Sequence, residues 1–256
     1  MKASVVIANY NNAKYINDCI NSITSQTYKD IEIIFFDDNS KDNSIETIEK
    51  FKNIKIIKNN FQTNFGSLNQ MNAFQKGIDL SNGDIIFFLD SDDYFHSNKI
   101  EKVINEFSND QSKKIIYDFP IILKNNIEVI KKKNRNFFNT YWGYIHPTSC
   151  IAIRKNFVKK IFDSISTNNF TNIWFDLRIL IYSKYLDSYN IINENLTYYR
   201  QTDNNISSSF KKFNKNWWRR RNEAHDYFLD FMIKNNLNIN KNIDFYFTKI
   251  INKFIK

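Results

Sequence analysis

The chain has 256 residues, 42% of them hydrophobic and 16% aromatic, enough for one large α/β domain with a substantial core. Its net charge of +9 suits nucleic acid, anionic lipid or a phosphate-bearing substrate and does not choose among them. No apolar run approaches the ~18 residues that span a bilayer, and the opening Met-Lys-Ala shows no signal-peptide pattern. Cys19 and Cys150 lack metal or redox spacing, so a reduced, soluble or peripheral protein is expected.

Residues 3–9 form a β-branched run, the first predicted strand. Ile16, Cys19, Ile20 and Ile23 recur at helical spacing, and residues 31–36 give a second strand that ends in Asp37-Asp38. A helix through Ile45, Ile48 and Phe51, a strand at 54–57 and a helix through Leu68, Met71, Phe74 and Ile78 follow. The apolar run from Ile85 to Leu89 then stops at Asp90-Ser91-Asp92-Asp93. Strands alternating with helices predict βαβ units and a mostly parallel sheet.

The second half is less regular. Ser97 is placed to cap a helix carrying Ile100, Val103, Ile104 and Phe107. Strands are expected at 114–119, 127–130, 150–153 and 196–199, and helices through Val158 and Ile161 and over 173–185. Residues 131–135 read as a basic, solvated loop. From about Phe213 the pattern is helical to the end.

Two acidic strand ends, Asp37-Asp38 and residues 90–93, require a joint explanation, because ligands of open α/β sheets collect beyond the carboxyl ends of the strands. The turn Asn9-Tyr10-Asn11-Asn12 has no G-x-G-x-x-G, and there is no P-loop. Without a glycine cradle, a diphosphate is neutralised by another route, and a cation held by carboxylates supplies one. The alternative is a set of solvated or capping turns.

The segments SVVIANYNNAKYI (4–16), IIFFDDNSKDNS (33–44) and DIIFFLDSDDYF (84–95), with the later YYRQTDNNIS (198–207), resemble family 2 glycosyltransferases in order and spacing. The resemblance covers about residues 3–210. It implies the GT-A fold, a Rossmann-like α/β architecture with a mixed, mostly parallel central sheet flanked by helices. It also implies an inverting enzyme dependent on a nucleoside-diphosphate sugar, a UDP-sugar foremost, with a glycan or lipid-linked acceptor in bacterial surface polysaccharide, lipopolysaccharide or glycan assembly. That setting is cytoplasmic, or peripheral on the inner face of the membrane. Residues 1–212 would form the catalytic domain, with a nucleotide-sugar half at 1–93 and an acceptor half at 94–212. Residues 213–256 would add a basic, aromatic helical extension.

Residue by residue, the resemblance gives Asp38 a hydrogen bond from the base, with Ala8, Asn9 and Tyr10 lining that pocket. Asp90, Ser91 and Asp92 form the D-x-D signature, and Asp90, Asp92 and Asp93 would hold Mg²⁺ or Mn²⁺ on the donor diphosphate. Asp176 stands where the family keeps its general base, while Phe175 replaces the usual Glu before it; a helix-terminal Asp opposing the dipole is the other reading. Thr202 and Asp203 occupy the place of a frequent His. Arg200 would contact phosphate or form a structural salt bridge, and His146 would touch the acceptor or serve the fold.

Residues 211–221 carry six positive charges and no acid, with Trp217 and Trp218 among them. With residues up to 232 they read either as an interfacial helix on anionic lipid or as a helix packing its aromatics on the catalytic domain. Two other function classes stay open: a catalytically inactive GT-A-fold binding module, and a basic nucleic-acid-binding protein. The second does not explain the aligned carboxylates, which repel phosphate.

Overall fold

The computed structural model describes residues 1–124, 127–129, 140–187, 189–201 and 211–255. The first half runs β1 (Ala3–Asn9), α1 (Ala13–Thr24), β2 (Ile31–Asp37), α2 (Ser44–Ile48), β3 (Ile54–Lys58), α3 (Gly66–Asp79) and β4 (Ile85–Asp90). Then come β5 (Tyr94–Phe95), α4 (Lys99–Asn109), β6 (Ile115–Lys124), β7 (Ile127–Val129), a 3-10 turn at Thr148–Cys150 and β8 (Ile151–Arg154). The chain ends with α5 (Lys155–Ser164), α6 (Phe175–Leu186), β9 (Asn190–Gln201), α7 (Lys215–Lys234) and α8 (Ile243–Phe254). The basic loop at 131–135 and the positions Thr202 and Asp203 lie outside the described residues.

Among the described residues one sheet has the order β3-β2-β1-β4-β8-β6-β9-β5, with β7 on β6. β1, β2, β3 and β4 pair in parallel, as do β6 and β9, while β8 joins β4 and β6 antiparallel. Strand alternation sorts the core into two layers. Val5, Ile7, Phe87 and Leu89 face α1 and α4, and Val6, Ile86 and Phe88 face α3, α5, α6 and α7. Asp90, two residues beyond Phe88, therefore belongs to the α3 and α6 side. Helix α3 sits tightly on β1: a Cβ at Gly77 would come within 2.2 Å of Val6 Cγ1.

The periodicity expected for α1 is what is buried: Ile16, Cys19, Ile20 and Ile23. Both cysteines are free and buried. The helix expected through Phe51 stops at Ile48, and β9 extends well before residue 196. Ser97 does not cap α4; Asn98 holds the N-cap position without a side-chain capping bond, its Oδ1 engaged by His96 Nδ1 at 2.7 Å. Helix α7 buries Trp218, Ala224, His225, Tyr227, Phe228, Phe231 and Met232, and most of these join the same core cluster as Phe74 and Phe88. Most of its aromatics are thus engaged in internal packing, while Trp217 near its start is only partly buried. No helix among the described residues is long and apolar enough to cross a bilayer.

Candidate active site

The two acidic strand ends meet across a single strand. β1 pairs Asn9 with Asp37 on one side and Ala8 with Asp90 on the other. Beyond the ladders, Asp38 N donates to Asn9 O (2.8 Å) and Ser91 N to Ala8 O (3.1 Å). The turns that follow need left-handed residues, and Asn11 (φ 52°) and Asn39 (φ 56°) supply them in place of glycine. Asn11 Oδ1 accepts from Lys41 N at 2.7 Å, tying one turn to the other.

Within this edge the carboxylates have different roles. Asp37 builds the turn, accepting from Asn9 Nδ2 (2.7 Å), Ser40 N (3.0 Å) and Ser40 Oγ (2.6 Å). Asp38 is buried, with Oδ1 on Asn59 Nδ2 (2.7 Å) and Oδ2 on Gln62 Nε2 (2.8 Å), both from the loop after β3. Tyr10 is half exposed at the mouth of this edge, and Ala8 is partly buried. Asn9 and Ser91 lie beneath the surface, where Asn9 grips Asp37 and Ser91 Oγ accepts from Asn12 Nδ2 (3.1 Å).

Asp90 and Asp92 are partly buried at the end of β4. Burial pushes the Asp90 carboxyl up to about 7, the Asp92 and Asp176 charges add to this, and the Gln70 Nε2 bond at 2.8 Å opposes it. Burial also raises Asp92, with Arg200 opposing. Asp93 points the other way. It is fully buried, with Oδ2 accepting from Ser149 Oγ (2.6 Å) and Oδ1 from Arg200 N (2.9 Å). The three carboxylates of the motif therefore divide: two are partly exposed at the strand end and one anchors the turn.

Beneath that turn lies a polar network that the sequence reading missed. Ser149 Oγ also accepts from Asp90 N (3.1 Å), and Lys99 Nζ donates to Ser149 O and Thr197 Oγ1, each at 2.6 Å. Lys99 and Asp118 form a fully buried ion pair at 2.7 Å. A buried lysine is rare without such a partner, but nothing local in sequence joins positions 99, 118, 149 and 197.

Asp176 occupies the first turn of α6, with Oδ1 accepting from Leu177 N at 2.7 Å. Burial raises its carboxyl above the usual range, and the Arg220 charge from α7 opposes the shift. The unusual Phe175 is an anchor: its ring lies 4.6 Å from Phe88 and 5.0 Å from Phe74 between centroids. The approach to α6 is pinned by Arg178, wholly buried, which donates to the carbonyls of Ile173 (2.9 Å), Asn169 (2.8 Å), Phe170 (2.9 Å) and Ser166. Tyr199 on β9 stands among the same acids, its phenol pushed upward by burial and by the charges of Asp93, Asp92, Asp176 and Asp90.

Arg200 takes the salt-bridge alternative. Its guanidinium pairs with Asp18, donates to Asp92 O (2.8 Å) and lies between the rings of Tyr15 (4.8 Å) and Tyr94 (4.7 Å). His146 serves the fold: it is buried, bonded through Nδ1 to Asp118 O (2.7 Å), and packed by Tyr117, Phe119 and Tyr144.

Among the described residues no three acidic, imidazole or thiol groups converge as a ready cation cage. Asp90 and Asp92 nonetheless fit a cation of the Mg²⁺ kind, which takes one or two protein carboxylates and completes its shell with water and substrate phosphate. Their mutual charge, which raises Asp90, is what such an ion would relieve.

The sequence profile of Glycosyl transferase family 2 matches residues 4–175. The chain is 31% identical over 216 residues to an uncharacterised glycosyltransferase of Nostoc sp. (strain PCC 7120), covering 78% of this chain and 65% of the relative. It is 41% identical over 104 residues to the UDP-Glc:alpha-D-GlcNAc-diphosphoundecaprenol beta-1,3-glucosyltransferase WfaP of Escherichia coli, covering 40% of this chain and 39% of the relative. The chain thus spans less than two thirds of the length of these relatives. Its fold matches S. aureus TarS 1-349 in complex with UDP-GlcNAc, with a TM-score of 0.63, 13% identity, and coverage of 100% of this chain and 71% of the other. It also matches the mannosyltransferase PcManGT from Pyrobaculum calidifontis in complex with GDP-Man and Mn²⁺, with a TM-score of 0.59, 11% identity, and coverage of 99% and 69%. With its acidic strand ends gathered on one edge of a curled, mostly parallel sheet, the chain belongs to glycosyl transferase family 2 and has the GT-A fold.

Proposed function

We propose that this protein transfers a sugar, with inversion, from a nucleoside-diphosphate sugar to a hydroxyl of a glycan or lipid-linked acceptor. The carrying observation is the shared edge on which Asp38, Asp90 and Asp92 lie, with Asp176 close enough for its charge to raise Asp90. Asp38 receives the base, and Tyr10 and Ala8 flank it. Asp90 and Asp92 would hold Mg²⁺ or Mn²⁺, and Asp93, its oxygens bound to Ser149 and Arg200, keeps the turn in place. The ion, when bound, supplies Lewis-acid stabilisation of charge on the departing diphosphate. The acceptor hydroxyl attacks the anomeric carbon as the bond to the diphosphate oxygen breaks, and its proton passes to the Asp176 carboxylate. Burial raises the Asp176 carboxyl and so strengthens it as a base, and the Arg220 charge opposes that shift.

The UDP-GlcNAc held by TarS and the UDP-glucose named for WfaP support a UDP-sugar, and the diphosphoundecaprenol-linked acceptor of WfaP supports a lipid-linked one. A donor screen read by nucleotide release with Mn²⁺ tests the reading. Release above the Asp176→Asn background from at least one UDP-sugar supports it. Binding of UDP without any release, across donors and acceptor extracts, would instead leave a nucleotide-binding module.

A further inference from the structure

Helix α8 inverts the pattern of an ordinary surface helix. Its inward face packs Phe245 into the core but is otherwise largely polar: Asp244 is buried, accepts from Arg221 Nε (3.0 Å) and lies 3.1 Å from His225 Nε2. Thr248 is buried beside it, and Asn252 Nδ2 donates to Trp218 O (3.1 Å). The outward face is Ile243, Tyr246, Phe247, Ile250 and Phe254, all exposed, with Ile243 at 87% and Phe254 at 84%. At 3.6 residues per turn these five fall within an arc of about 100°. In water an amphipathic helix places such an arc against a core, and a contiguous exposed one marks an interaction surface.

The stripe continues onto the start of α7. Phe247 meets Trp218 at 5.8 Å between ring centroids, and Trp218 meets Phe213, itself exposed, at 6.2 Å. That end carries exposed Lys211, Lys212 and Arg219, and exposed Lys253 lies on α8 itself. We infer that the outer face of α8, with the basic start of α7, docks on an anionic lipid bilayer, α8 lying in the plane of the interface. Aromatic and aliphatic side chains enter the headgroup boundary while the cations meet lipid charge. A second copy of the same face would oppose cation to cation, which disfavours self-association. The surface is distinct from the transfer chemistry, yet Arg220 on the same turn of α7 acts on Asp176, so docking would hold the crevice beside the bilayer.

Flotation of the full chain with phosphatidylcholine vesicles, with and without phosphatidylglycerol, tests this. The wild type is expected to float with the anionic vesicles, and high salt is expected to release it. Ile243→Ser/Ile250→Ser/Phe254→Ser should reduce flotation at least about tenfold, and Lys211→Gln/Lys212→Gln/Arg219→Gln should also weaken it. Both variants should keep the wild-type urea midpoint and UDP affinity, which separates failure here from failure of the transferase reading. Wild-type protein that stays off anionic vesicles would overturn the inference, as would an apolar variant that floats unchanged. An oligomer in sedimentation equilibrium that the apolar variant splits would assign the face to a second copy and overturn it equally.

Discussion

The ring of Phe175 lies 4.6 Å from that of Phe88, and a carboxylate follows each: Asp176 one residue later and Asp90 two residues later. The contact fixes the start of α6 over the end of β4. It also explains why a phenylalanine is workable where a glutamate is usual, since the position points into a core shared with Phe74. Phe175→Ala should cost about 3–5 kcal/mol of stability in urea unfolding. Phe175→Glu should cost at least as much, because it buries an unpaired charge among rings. Phe175→Leu should fold and bind nucleotide but turn over more slowly; turnover at the wild-type rate would show that the ring does not position Asp176.

Asp176→Asn keeps the shape and the Leu177 N–H bond but removes the base. Turnover should fall about 10²–10⁴-fold, with UDP affinity in the presence of Mn²⁺ unchanged. Steady-state kinetics beside calorimetry checks this, and a variant retaining most of its turnover would contradict the assignment.

Much of the first half was legible because strands and helices there announce themselves by period. The acidic residues closing β2 and β4 could be paired before any coordinates, since parallel strands place their carboxyl ends on one edge. What the sequence did not reveal is which way each acid turns. Asp92 and Asp93 are adjacent and chemically identical, and only the partners Ser149 and Arg200, 56 and 107 residues downstream of Asp93, draw Asp93 inward. The Lys99–Asp118 pair was invisible for the same reason, its members meeting only when the sheet forms. The apolar spacing of helix α8 suggests ordinary packing, and only its exposure in the fold shows the stripe facing out.

Asp92 and Ser149 should separate in a stability measurement. Ser149→Ala removes the partner of Asp93 Oδ2 and of Asp90 N, and should destabilise the metal-free protein by about 1–3 kcal/mol. Asp92→Asn removes a charge that raises both Asp90 and Asp93, so the metal-free protein should be as stable as wild type or more so. Urea midpoints without divalent cation decide it; marked loss in Asp92→Asn would mean that its carboxylate supports the fold.

His146 gives the fold a pH dependence remote from the site. Burial lowers its imidazole to about 4 in the native state, against about 6.5 unfolded. The unfolded chain then binds the proton more readily. The stability due to neutral His146 is present above pH ~6.5 and is lost as pH falls toward ~4, about 3 kcal/mol in all. Thermal unfolding between pH 7 and 5 should show a steeper decline for wild type than for His146→Gln, and parallel slopes would show that His146 is not the group responsible.

The central claim is that Asp90 and Asp92 face a cation on a nucleoside diphosphate whose base reaches Asp38. Calorimetry of UDP binding, with and without Mn²⁺, in wild type, Asp92→Asn and Asp38→Ala tests it most directly. The account predicts UDP binding strengthened at least about tenfold by Mn²⁺ in wild type, an enhancement lost in Asp92→Asn, and weaker binding under both conditions in Asp38→Ala. UDP binding that is indifferent to Mn²⁺, or an Asp92→Asn variant with the full enhancement, would contradict it.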